Sequence, residues 1–154
     1  MFSFLNKKKP IQFLTAEEQQ KVVSAIQSAE KNTSGEIRVF IESKCRFVDP
    51  IDRAYEIFGG LQMEKTEQRN AILVYIAVKH RQLSIYGDEG IYQKLGQEFW
   101  DKKVQQILAS FNSKNYAQGL VNTIGELGRA LSEKFPYNSQ TDKNELPDDL
   151  VFGK

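Results

Sequence analysis

The run Ala71-Ile72-Leu73-Val74-Tyr75-Ile76-Ala77-Val78 is apolar throughout, and it stands between a polar loop and the basic turn Lys79-His80-Arg81. It is rich in β-branched residues and has strand length, less than half of what a membrane span needs. It does not alternate, so the strand must be covered on both faces. A sheet with such a strand needs a layer of helices on each side, which predicts an α/β fold, a three-layer α/β/α sandwich with a central mixed sheet of three to four strands.

The flanking segments supply those layers. Thr15 and Glu18 form a capping box ahead of a helix whose Val22, Val23, Ile26 and Ala29 share one side, and Asn32-Thr33-Ser34-Gly35 ends it. Glu36 to Glu42 alternates Ile37, Val39 and Ile41 with Glu36, Arg38, Phe40 and Glu42, the period of a strand. Asp49-Pro50 reads as an N-cap with proline at the first helical position, and Ile51, Ala54, Tyr55 and Phe58 give that second helix an apolar face before Gly59-Gly60. After the apolar run, Lys79-His80-Arg81 makes a tight turn into a third strand carrying Leu83 and Ile85. A long helical region follows, with Ile91, Leu95, Phe99, Val104, Ile107, Leu108 and Phe111 at helical spacing and Gly96 marking a kink. A last helix from about Tyr116 carries Leu120, Val121, Ile124, Leu127 and Leu131. The expected order is therefore α-β-α-β-β-α-α.

The 154 residues hold one core and not two, so the expected organisation is a flexible leader over 1–12, one domain over 13–135 and a polar tail over 136–154. Leu146, Leu150, Val151 and Phe152 are that tail's docking residues. The 21 basic and 20 acidic side chains nearly cancel, and only Lys7-Lys8-Lys9 concentrates charge, which argues against nucleic acid as a partner. Cys45 is the single cysteine; no intrachain disulfide can form, and a cytoplasmic location is the expectation. The N-terminal decapeptide lacks the apolar core of a secretory signal, and no transmembrane segment is expected.

Topology then brings acidic groups together. The first two strands, joined through a helix, run parallel by a right-handed crossover, whereas the second and third form a hairpin. The start of the first strand (Gly35, Glu36), the approach to the second (Glu64, Glu67, Asn70) and the exit of the third (Gly87, Asp88, Glu89) meet at one edge. Carboxylates so gathered repel one another unless a cation sits among them. Oxygen ligands on loops suit a hard divalent ion, Ca²⁺ better than Mg²⁺ because it accepts irregular angles, and Gly87 and Gly90 let backbone carbonyls turn inward. The plain alternative is that Lys65, Arg69 and water satisfy the same carboxylates. Asp49-Pro50-Ile51-Asp52 does not fit an EF-hand loop.

Elsewhere the chemistry is thin. One cysteine and one histidine cannot close a zinc site, and His80 reads as an exposed turn residue. Cys45 has no arginine six positions on, where Ile51 stands, so the phosphate loop of cysteine phosphatases is absent. No P-loop, GxGxxG or GxSxG occurs. Tyr75, Tyr86, Tyr92, Phe99 and Trp100 sit in apolar patterns that core packing explains.

Four segments, Thr33-Ser34-Gly35-Glu36-Ile37-Arg38-Val39, Arg69-Asn70-Ala71-Ile72-Leu73-Val74-Tyr75, Ile85-Tyr86-Gly87-Asp88-Glu89-Gly90-Ile91 and Tyr116-Ala117-Gln118-Gly119-Leu120, resemble the TPM-domain family in order and spacing, over roughly Leu14 to Leu131. The likeness is greatest to its small stand-alone bacterial members, which share an Asn-Glu-Leu-Pro-Asp tail like that of Asn144 to Asp148. The resemblance implies an α/β/α sandwich with its functional edge at Glu36, Asn70 and the loop from Gly87 to Gly90. It departs where the usual Asp-Asn-Gly before the second strand is Arg69-Asn70-Ala71, and where the usual export signal and membrane tail have no counterpart. Plant thylakoid members are linked to photosystem repair and carry an acid-phosphatase label, while an animal member is an auxiliary protein of a receptor.

Three readings follow. The leading one is a non-enzymatic, divalent-metal-binding domain, Ca²⁺ favoured over Mg²⁺, whose ion orders the crossing loops and regulates contact with a protein partner. Its site residues are Glu36, Glu64, Glu67, Asn70, Gly87, Asp88 and Glu89. The second is a metal-assisted acid phosphatase of low specificity, as the resemblance implies. The third is a metal-free protein-interaction module. In each the chain is expected to be a monomer.

Overall fold

The structure is a computed structural model that describes residues 13–47, 49–112, 115–137 and 150–153, with backbone only at 111 and 112. Its elements are α1 (Ala16–Glu30), β1 (Glu36–Glu42), α2 (Pro50–Gly60), β2 (Ala71–Ala77), β3 (Gln82–Gly87), α3 (Glu89–Leu95), α4 (Gln97–Asn112), α5 (Tyr116–Lys134) and β4 (Leu150–Phe152). The sheet order is β3-β2-β1-β4. Strands β1 and β2 are parallel, β2 and β3 antiparallel, and β4 lies parallel to β1.

Both faces of this mixed sheet are covered. On one face Ile37, Val39, Ile41, Ile72, Val74 and Ile76 pack with residues of α1, α4 and α5, including Ile26, Ile107 and Leu127. On the other, Phe40, Leu73 and Tyr75 pack beneath α2 with Ala54, Ile57 and Phe58. The two clusters share no residue because successive side chains point to opposite faces. Every residue of β2 is buried, as its unbroken apolar run requires.

Three local features shape these elements. The Thr15–Glu18 capping box opens α1 with both of its hydrogen bonds, and the Asp49 carboxylate caps α2 by accepting from Ile51 N at 3.0 Å. The long helical region is not one kinked helix: Gly96, at φ +80°, divides it into α3 and α4, a conformation glycine adopts without a Cβ penalty. The described part of the tail adds a strand, with Val39 opposite Leu150 and Ile41 opposite Phe152, and Gly153 N donates to Ile41 O at 2.7 Å. The leader over 1–12, Leu146 and the segment Asn144 to Asp149 lie outside the described residues.

The alternation in β1 has a further outcome: Glu36 and Glu42, its polar ends, are buried as well. Tyr75 and Trp100 are core residues, Tyr86 and Phe99 are half-buried, and Tyr92 is partly exposed. Among the described residues no helix is long and apolar enough to cross a membrane.

Candidate functional site

Register builds the edge. Glu36 pairs with Ala71 and Ile72 with Gly87, and Asp88 N donates to Ala71 O at 2.9 Å. Glu36, Ala71 and Asp88 therefore stand side by side across β1, β2 and the end of β3. Ala71 belongs to the α2-side cluster, and residues opposite one another in a sheet share a face. The two carboxylates thus flank a methyl group, with backbones about 10 Å apart across two strand spacings. Both are buried.

Asp88 is heavily engaged. Its Oδ2 accepts from Arg69 Nε at 2.7 Å, and its Oδ1 accepts from Arg69 Nη2 at 2.9 Å and from Glu89 N at 2.8 Å. It thereby fixes the start of α3 and holds the loop before β2. Arg69 reaches it from a left-handed backbone, φ +52°, and extends Nη1 to Glu89 Oε1 at 2.9 Å. The hydrogen bond to Asp88 first, and then the charges of Asp88, Glu89 and Glu64, push the guanidinium above its ordinary value against a cost of burial. Burial likewise raises the neighbouring Tyr86 phenol, and the charge of Asp88 adds to it.

Asn70 sits at the centre of the edge with its side chain buried. Its Nδ2 donates to Ser34 Oγ at 3.1 Å, a hydroxyl that also accepts from Gln68 Nε2 at 3.3 Å. The Asn70 Oδ1 is buried and, among the described residues, has no hydrogen-bond partner. A buried carbonyl oxygen left so is costly, and it is a good ligand atom for a hard cation. Ser34 is held in turn: its N donates to Phe135 O at 3.1 Å, and Thr33 Oγ1 donates to the same carbonyl.

The two glycines act through close packing. Gly87 ends β3 against Trp100, whose ring carbon would lie 2.7 Å from a Cβ there. Gly90 packs on the loop before β2, where a Cβ would meet Gln68 O at 2.1 Å and Arg69 O at 2.5 Å, and its N donates to Arg69 O at 2.8 Å.

Glu36, Asn70 and Asp88 are thus gathered and buried, Gly87 is beside them, and Glu89 and Glu64 lie within electrostatic reach of Arg69. Glu67 is exposed on the loop. Among the described residues no three His, Cys, Asp or Glu side chains are grouped to hold a metal ion. The physical reason at Asp88 is the arginine fork. Ser34 was missed by sequence reasoning, although it lies in the turn cluster that ends α1.

A second buried ion pair lies at the opposite edge, where spacing gave no hint of it. Glu42 accepts from Arg53 Nε at 2.8 Å, from Arg53 Nη2 at 2.9 Å and from the Tyr75 hydroxyl at 2.5 Å. Burial opposes ionisation of Glu42, but the bonds from Arg53 and Tyr75 and the charges of Arg53 and Arg46 prevail and hold it below its ordinary value. Beside it His80 is exposed, its Nδ1 accepting from Cys45 N at 3.1 Å.

The TPM domain matches this chain over residues 8–130. The chain belongs to the TPM-domain family. The BA42 protein of the psychrophilic bacterium Bizionia argentinensis, known from an NMR structure, is 43% identical to it, with a TM-score of 0.85, over 94% of this chain and 99% of that one. Two solution structures share the fold at lower identity. The N-terminal domain of cg2496 from Corynebacterium glutamicum is 14% identical with a TM-score of 0.63, covering 86% of this chain and 82% of its own. An N-terminal domain of a P. gingivalis protein is 16% identical with a TM-score of 0.61, covering 80% of each chain. No curated protein matches.

Proposed function

We propose that this TPM domain binds a divalent cation, Ca²⁺ in preference to Mg²⁺, at the edge formed by Glu36, Asn70 and Asp88, and that the ion tunes contact with a protein partner. The observation that carries this reading is the Asn70 Oδ1, a buried oxygen acceptor without a partner among the described residues, on the edge where two buried carboxylates flank Ala71. The donor chemistry fits: carboxylates and an amide carbonyl are oxygen ligands, and they come from three crossing segments with no imposed octahedron. Glu64 and Glu89 supply further negative charge, Glu67 lies on the same loop, and Gly87 keeps the strand end close to the helix behind it. Bound there, the ion would supply the charge balance that ties β1, the loop before β2 and the start of α3 together. The exposed Glu67, Gln68 and Glu89 would then form the ordered outer surface. The single buried cysteine suits a reducing, cytoplasmic setting.

Calorimetric titration of the protein with CaCl₂ and MgCl₂, alongside Asp88→Asn and Asn70→Ala, tests this reading. Saturable Ca²⁺ binding that both substitutions weaken by about tenfold or more supports it; binding untouched by either places the ion elsewhere. The phosphatase reading would employ the same ion to polarise a phosphoryl oxygen. It requires phosphomonoester hydrolysis that Asp88→Asn abolishes.

A further inference from the structure

The site already holds a cation of its own. Asp88 is 2% exposed and accepts three hydrogen bonds, two from Arg69 and one from Glu89 N. A carboxylate offers about four acceptor positions, so about one is left. An incoming divalent ion would find its principal carboxylate already neutralised and a fixed positive charge within a few ångströms.

The arrangement of Arg69 allows exchange without unfolding. Its backbone is pinned: Arg69 N donates to Thr66 O at 3.2 Å, and Arg69 O accepts from Gly90 N at 2.8 Å. The side chain, by contrast, lies on the solvent side of the pair at 42% exposure. A second acceptor is in place, since Nη1 already meets Glu89, whose side chain is 69% exposed. The guanidinium can therefore leave Asp88 by side-chain rotation and stay paired outside.

We propose that Arg69 is a built-in competitor for the divalent ion: it closes the site by pairing with Asp88, and ion binding releases it toward Glu89. The inference rests on the cation-binding reading above. It makes Arg69 the residue that sets ion affinity, and it couples the ion to the outer surface, because each binding event presents a guanidinium to solvent beside Glu89.

The test compares the wild-type chain with Arg69→Gly and Arg69→Lys. Glycine is suited to the left-handed backbone at this position and removes the charge, while lysine keeps the charge and loses the fork. CaCl₂ is titrated into each, and the Arg69 Nε–H signal is followed by NMR in the wild type. Arg69→Gly is expected to bind Ca²⁺ about tenfold more tightly or better, with Arg69→Lys in between, and the Nε–H signal should move as the wild type saturates. Equal or weaker binding by Arg69→Gly, in a wild type that does bind, overturns the inference and leaves the cation site standing. If neither protein binds, the cation site itself fails and the inference with it. Should Arg69→Gly not fold by circular dichroism, the lysine variant and the Nε–H signal decide: unchanged affinity with an unmoved signal overturns it.

Discussion

At the two ends of the β1–β2 pair a buried carboxylate is gripped by an arginine fork, but the parts differ. At the C-terminal end, Glu42 is held by Arg53, which projects from the regular backbone of α2, is 26% exposed, and shares its partner with the fully buried Tyr75 hydroxyl. At the N-terminal end, Asp88 is held by Arg69, a left-handed loop residue more exposed than Arg53 that also pairs with Glu89, and Asn70 Oδ1, without a partner among the described residues, lies on the same edge. The first adds the buried Tyr75 hydroxyl to the fork on Glu42, and Arg53 also pairs with the exposed Glu56. In the second the fork is carried by a more exposed side chain, with Asp88 itself buried and held by Glu89 N as well. The lesson is that an arginine–carboxylate pair marks structure or exchange according to what else surrounds the carboxylate and how the arginine is mounted.

The largest effect is expected at the closed end. Glu42→Ala leaves the Tyr75 hydroxyl without its acceptor and Arg53 with Glu56 alone, and should cost about 3 kcal/mol of unfolding free energy in urea denaturation. Equality with a mild surface substitution would break the comparison. Next, Gly90→Ala forces a methyl group against the Gln68 and Arg69 carbonyls and should cost about 2 kcal/mol by the same measurement, while shifting the amide signals of Arg69 and Asp88.

A smaller effect comes from acid. Glu42 is depressed in the folded protein, so its contribution is present above its unfolded value near 4.5 and is lost as pH falls through the lower folded value. Glu42→Gln should flatten the dependence of stability on pH below 4.5; an unchanged acid limb would remove Glu42 from the account. The smallest change is expected for Arg69→Gly, which leaves the buried Asp88 with the Glu89 amide as donor but removes a guanidinium that is 42% exposed and relieves a left-handed backbone. Its melting temperature should stay close to that of the wild type in thermal melts. A loss as large as that of Glu42→Ala would mean that both forks are structural.

Much of the fold was legible because the apolar run of β2 admits only a strand covered on both faces, and because the caps at Thr15 and Asp49 are local signals. Gly96 was visible as an interruption, yet its left-handed backbone, which makes two helices of one, is set by packing that spacing does not carry. Leu150, Val151 and Phe152 were legible as docking residues of the tail but not as a strand: three residues carry no period, and their pairing with β1 is a tertiary event. At the edge, topology alone brought Glu36, Asn70 and Asp88 together. Arg69 was legible beside Lys65 as a cation for these carboxylates, but its bidentate grip on Asp88 was not, because the two are joined through a turn conformation rather than a helical or strand spacing. The Glu42–Arg53–Tyr75 network spans three elements and left no trace in any one of them.

The most direct test is an amide NMR titration of the wild-type chain with CaCl₂ to millimolar concentration. Shifts confined to residues 34–36, 64–70 and 87–90, saturating with the ion and leaving Glu42, Arg53 and Tyr75 unmoved, are what the account predicts. No localised response there, or a response centred on the Glu42 end, would contradict it.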